Sequence, residues 1–177
     1  MHTTLPFESA IDGIGWPAVP GQRATAMLAI LFQLEQSQWW PVDELHRRQM
    51  QQLGRLLTHA LATVPFYRDR LAGVDFAKDG APLPEDWARL PLLRRDEVQA
   101  AGDALVSGQV PPSHGGLSEI FTSGSTGKPV RAVRTELWSL FWSAFTVRDH
   151  LWHRRDLTGT LAAIRESGKG KAQYPDG

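Results

Sequence analysis

Thr122, Ser123, Gly124, Ser125, Thr126, Gly127, Lys128 and Pro129 gather four hydroxyls, two glycines and a lysine into the space of one turn. That chemistry suits phosphate. Glycine lets backbone N–H groups come close to an anion, hydroxyls donate to its oxygens, and lysine supplies a compact positive charge. The ordinary alternative is an exposed hairpin loop that only joins two strands, and short motifs of small residues are common enough to keep it open. The P-loop NTPase motif does not fit. It needs glycine five residues before the Gly-Lys pair and a hydroxyl residue directly after it, where this chain has Thr122 and Pro129.

The elements around this loop must hold it in place. Ile120 and Phe121 form a short apolar run before it, and Val130, Arg131, Ala132, Val133 and Arg134 alternate after it, which predicts strand, loop, strand. Thr135 can then cap a helix to about Leu151. Leu137, Leu140, Phe141, Ala144, Val147 and Leu151 make one apolar stripe on it, with Trp138, Trp142 and Phe145 on a second face. A helix apolar on two faces is expected to be covered on both, as core rather than as a base-stacking platform, and left uncovered it leads to self-association. Residues 160–164 read as the next strand, and residues 166–177 as a polar tail.

Upstream, residues 1–23 are dense in glycine and proline and read as an irregular arm, followed by a mainly helical part over residues 24–116. Met27, Leu28, Leu31 and Leu34 mark a helix over residues 24–39 that Pro41 closes. Asp43 can cap the next helix, whose stripe is Leu53, Leu56, Leu57, Ala60, Leu61 and Val64. Pro65 ends it. Phe66, Tyr67 and Leu71 suggest a short turn of helix, and residues 73–84 a connection. Leu90 to Leu93 reads as extended chain entering a helix with acids in its first turn, and residues 102–116 as loop.

The stretch from Phe121 to Val130 resembles the phosphate-loop signature of the adenylate-forming, AMP-binding ligases. The run Val64, Pro65, Phe66, Tyr67 and the run Leu90 to Asp96 are similar to the phenylacetate–CoA ligase branch, so the resemblance covers residues 53–164. It implies an α/β fold in which residues 117–165 begin the family's large domain. The implied activity is ATP-dependent conversion of a carboxylic acid to an acyl-adenylate, followed by transfer to coenzyme A. Carried over by position, Thr122, Ser123, Gly124, Ser125, Thr126 and Gly127 hold the β- and γ-phosphates of ATP, with Lys128 as charge partner. Many members place lysine directly after the proline, where this chain has Val130. The family's glutamate for Mg2+, its ribose-binding aspartate and its mobile lysine belong to motifs that these 177 residues do not contain. The resemblance therefore implies an N-terminal fragment, inactive alone, with catalytic residues beyond it. The alternative is a non-catalytic remnant that binds phosphate or packs against a partner.

Composition narrows the remaining classes. A length of 177 residues suits one domain, and 42% hydrophobic with 21% charged residues suits an ordered globular chain rather than a disordered one. Nineteen basic residues balance nineteen acidic ones, which leaves no broad footprint for nucleic acid or anionic membrane. The absence of cysteine removes disulfides and thiolate chemistry and fits a cytoplasmic setting. The first fifteen residues have no basic region before an apolar run, so they do not read as a signal peptide. His150 and His153, with Asp149 and Asp156, have a spacing that could bind metal, but polar residues collecting at a helix end are the stronger reading and no metal site is assigned. His59, beside an apolar stripe, reads as a helix-surface or half-buried histidine rather than a base.

Overall fold

The computed structural model describes residues 8–76, 80–122, 129–160 and 162. Within them lie six α-helices, two short 3-10 turns and a two-stranded antiparallel sheet. This is the mixed helix-and-sheet composition expected.

Helix α1 (Gln22–Ser37) begins two residues before the expected start, from Gly21 in extended backbone, and the Thr25 amide donates to the Gly21 carbonyl at 2.9 Å. Helix α2 (Val42–Thr63) starts from Pro41, whose φ of −52° is already close to helical, and the Leu45 amide reaches the Pro41 carbonyl at 3.0 Å. Asp43 is therefore not the cap. It lies inside the first turn, where it and Glu44 complement the helix dipole. Val64 leaves the helix in extended conformation because Pro65 follows, and Pro65 opens the one-and-a-half-turn helix α3 (Pro65–Arg70).

The main core forms where α2 and α3 meet. Leu57, Ala60, Val64, Leu71 and Val74 are buried together, with Leu53, Leu61, Phe66, Tyr67, Phe76 and Leu90 packed around them. Leu56, read as part of this stripe, is exposed instead and points away from it. Gly54 lies where α2 is crossed by the chain at Gly80, so closely that a Cβ there would collide with the Gly80 carbonyl oxygen. The connection after α3 folds through a bridge between Phe76 and Pro82, and the buried Asp86 carboxylate accepts the Asp75 amide at 3.1 Å.

Helices α4 (Pro84–Arg89) and α5 (Arg95–Ala101) flank the extended Leu90 to Leu93 segment. Arg70 latches this segment to α3. Its guanidinium donates to the Pro91 and Leu92 carbonyls at 2.8 and 2.9 Å, pairs with Glu97 at 2.9 Å and lies over the Phe66 ring. Glu97 also accepts the Arg94 amide at 2.7 Å, which closes the first turn of α5. The stretch read as loop contains two 3-10 turns, Gly102–Leu105 and Pro112–His114.

Strands β1 (Leu117–Phe121) and β2 (Arg131–Thr135) follow, and α6 (Glu136–Trp152) leaves β2 with no intervening residue. Helix α6 packs on α1, with Ala144 fully buried and Leu31 facing the same seam. Arg148 crosses that seam. It donates to the Leu34 carbonyl at 3.3 Å, lies over Trp152, and sits 3.6 Å from Glu35, an ion pair too long for a hydrogen bond. The second face of α6 is not core: Trp138, Trp142 and Phe145 are exposed, and so is Phe141, read as part of the first stripe, because α1 covers only the Ala144 side. Thr160 and Ala162 are not in a strand, and the other residues expected to complete one, Leu161, Ala163 and Ile164, lie outside the described residues. Among the described residues no helix is long and apolar enough to cross a membrane.

Gly54→Ala sets a gain of about 1 kcal/mol in helix propensity against a steric conflict with backbone. Overpacking wins, so thermal unfolding should show a loss of ~1–3 kcal/mol, roughly 2–10 °C in Tm. An unchanged or raised Tm would contradict the close crossing at Gly80.

The Glu97 carboxyl is held below the usual carboxylate range, first by the Arg94 amide and then by the Arg70 guanidinium. A lowered folded-state value means that the contribution is present above the ordinary carboxylate value and lost as pH falls through the lowered one. Glu97→Gln should therefore flatten the acid side of the Tm–pH curve and leave its slope near neutrality alone. A parallel downward shift at every pH would assign Glu97 to packing rather than charge.

Candidate functional site

The hairpin that carries the phosphate-type loop is fixed at both ends. Its register pairs Leu117 with Thr135, Glu119 with Val133 and Phe121 with Arg131. Beyond the ladder, the Thr122 amide donates to the Val130 carbonyl at 2.9 Å, and the Val130 amide donates to the Thr122 hydroxyl oxygen at 2.9 Å. Of the residues read as phosphate contacts, Thr122 is thus placed at the mouth of the turn, exposed, with its hydroxyl proton still available to donate. Ser123, Gly124, Ser125, Thr126, Gly127 and Lys128 lie outside the described residues.

At the other end, the Glu136 amide donates to the Gly116 carbonyl at 3.1 Å, so the chain entering β1 is tied to the chain leaving β2. Gly115 makes this possible. Its φ of +74° suits glycine, and a Cβ there would meet the Glu136 side chain. Thr135 is the last residue of β2 and also the cap of α6, its hydroxyl accepting the Trp138 amide at 3.1 Å as its sequence position predicts.

Charged groups tie the hairpin to the helical part. Arg131 reaches Glu119 diagonally across the ladder at 2.5 Å and pairs with Asp103 of the Gly102–Leu105 turn. These carboxylates, Glu119 first, raise the already high pKa of Arg131, so its charge is permanent and already matched. Arg134 donates to the Ser118 hydroxyl at 3.0 Å and stands over the Trp138 ring. Arg131 is thus not left free for an anion at the turn.

Beneath the hairpin an apolar cleft of about 1330 Å³ runs between α2, α3, α5 and β2, with Leu57, Val64, Leu71, Leu90 and Val133 on its walls. His59 and Ser107 lie on its edge, a pairing that no sequence spacing announces. The Ser107 hydroxyl sits 3.3 Å from His59 Nε2, yet it also contacts Thr63 Oγ1 at 2.9 Å and the Gln109 carbonyl at 2.7 Å, and it accepts the Gln109 amide at 3.2 Å. With its proton and lone pairs so engaged, Ser107 joins a loop to α2 rather than serving as a nucleophile. His59 is half-buried, as its place beside the stripe suggests. At the end of α6, His153 contacts the Asp149 carbonyl and His150 contacts Arg155, and no group of three or more His, Cys, Asp or Glu among the described residues could hold a metal ion.

Thr122→Val keeps the shape of the residue and removes the acceptor that receives the Val130 amide. A bond of this kind contributes ~0.5–1.5 kcal/mol, so hydrogen exchange at Val130 should accelerate about threefold to tenfold while the amides of β2 beyond it change little. Unchanged exchange at Val130 would mean that the threonine does not close the turn.

No family model matches this chain, and no curated protein and no solved structure matches it.

Proposed function

We propose that this chain carries the phosphate-loop portion of an ATP-dependent, AMP-forming ligase that activates a carboxylic acid as its acyl-adenylate, for transfer to coenzyme A in the cytoplasm. The observation that supports this best is the setting of Thr122 to Pro129: a turn of hydroxyls, glycines and one lysine, closed by the Thr122–Val130 pair and leading through β2 directly into α6. In the same reading the strand, loop, strand and helix over residues 117–152 are the start of the ligase's large domain.

In the proposed reaction the acid's carboxylate attacks the α-phosphorus of ATP, the bond to the bridging oxygen breaks, and pyrophosphate leaves with that electron pair. The thiol of coenzyme A then attacks the acyl carbon and AMP departs. The turn's part is to hold the β- and γ-phosphates while charge builds on the leaving group, through the backbone amides and hydroxyls from Thr122 to Gly127 and the Lys128 ammonium. Mg2+ would add positive charge at the phosphates, and among the described residues there is no cluster of three or more His, Asp or Glu to hold it. Groups that orient the α-phosphate are likewise not assigned among these 177 residues. The isolated chain should therefore bind triphosphate without turning it over.

Two measurements test this. Titrating the 15N-labelled chain with inorganic tripolyphosphate and with ATP should shift the Gly124 and Gly127 amides saturably, and Lys128→Ala should weaken that binding about tenfold, the size of one charge-assisted contact of ~1.4 kcal/mol. No saturable shift at either glycine would remove the phosphate-loop reading. Acid-dependent pyrophosphate exchange by the chain alone should stay at background with aromatic and aliphatic acids, and robust exchange would show that the catalytic groups are present after all.

A further inference from the structure

Helix α6 carries a second apolar stripe that nothing among the described residues covers. At 3.6 residues per turn, Trp138, Phe141, Trp142, Phe145 and Trp152 fall within an arc of about 100°, beside the arc centred on Ala144 that packs on α1. They remain 40%, 41%, 61%, 49% and 57% exposed. Trp138 and Trp142 stack with ring centroids 5.4 Å apart, and Phe141 approaches Phe145, so the stripe is a continuous preformed ridge rather than scattered rings. A stripe of this width is the kind that a facing helix covers.

We propose that the occupant is the same stripe of a second copy of this chain, with two α6 helices packed about a two-fold axis near Trp142. The area fits. A whole aromatic side chain presents ~150–250 Å², so the five rings leave about 500 Å² open on one copy, and a two-fold pairing covers about twice that before any rim is counted. This reaches the ~1,000 Å² at which a specific interface becomes credible, and rim contacts carry it toward the standard size.

Asp149, the charged residue inside the arc, is already paired with Arg155 at 3.0 Å and lies 3.4 Å from His153, so it sets no unmatched charge against a second apolar ridge. A self-complementary patch of this kind closes as a dimer and does not extend further.

Sedimentation velocity over a micromolar concentration series tests the proposal without any ligand, so it stands or falls apart from the ligase reading. The chain should sediment as a particle of twice its 19.7 kDa mass. Trp142→Asp should return it to the mass of one chain, while Leu92→Asp, which places the same charge on a still more exposed leucine in the Leu90 to Leu93 segment, should leave the dimer intact. Far-UV circular dichroism shows whether Trp142→Asp stays folded. If it unfolds, Trp152→Ser at the exposed C-terminal end of the ridge decides, and it should weaken the dimer about tenfold. A monomer at all concentrations, open-ended growth, a dimer lost equally to Leu92→Asp, or a dimer that Trp152→Ser leaves unchanged would overturn the proposal.

Discussion

A two-stranded hairpin is marginal by itself in water, and the arrangement of the candidate site follows from that constraint. The β1–β2 ladder buries little: only Ile120, Val133, Arg134 and Thr135 are even half-buried. Its stability must be supplied from outside the ladder. Three attachments do this: the Gly116–Glu136 bond at the base, the Arg131 bridge to Asp103, and the continuation of β2 into a helix that packs on α1. Exposed ion pairs are screened by solvent and contribute little, so the helix is the principal anchor and the arginine mainly fixes direction.

The helical half is organised differently. There the determining contact is between α2 and what crosses it, with Gly54 admitting the chain at Gly80 and the Leu57 to Val64 face receiving α3. Arg70 converts this packing into a defined path for the following segment, because its guanidinium satisfies two carbonyls that extended chain would otherwise leave to solvent. The path brings Asp103 within reach of Arg131. Burial at the α2–α3 contact and placement of the hairpin are thus linked by two arginines acting in series.

Much of this was legible in residue order. Pro65 ends α2 and Thr135 caps α6 because one lacks an amide proton and the other carries a short hydroxyl, and neither effect depends on distant chain. The alternation from Val130 to Arg134 likewise marks a strand, which lies one residue later at Arg131–Thr135 and pairs with Leu117–Phe121. Long-range consequences were less legible. Asp43 has the chemistry of a cap, but Pro41 starts the helix before it; Leu56 keeps the period of the stripe and still faces solvent. At the site, Thr122 could be placed from its motif, whereas the Arg131 bridge and the Ser107–His59–Thr63 cluster join residues far apart in sequence, for which local spacing carries no signal.

The absence of any residue between β2 and α6 makes the two a single lever. Thr135 is at once the end of the ladder and the helix cap, so the hairpin has no joint at which to absorb a reorientation of the helix. A five-residue strand rises about 17 Å, and a tilt of ~10° at its root displaces its far end by about 3 Å, the length of a hydrogen bond. Whatever leans on the aromatic ridge of α6 therefore also aims Thr122, and the position of the turn becomes a mechanical readout of how that helix is held.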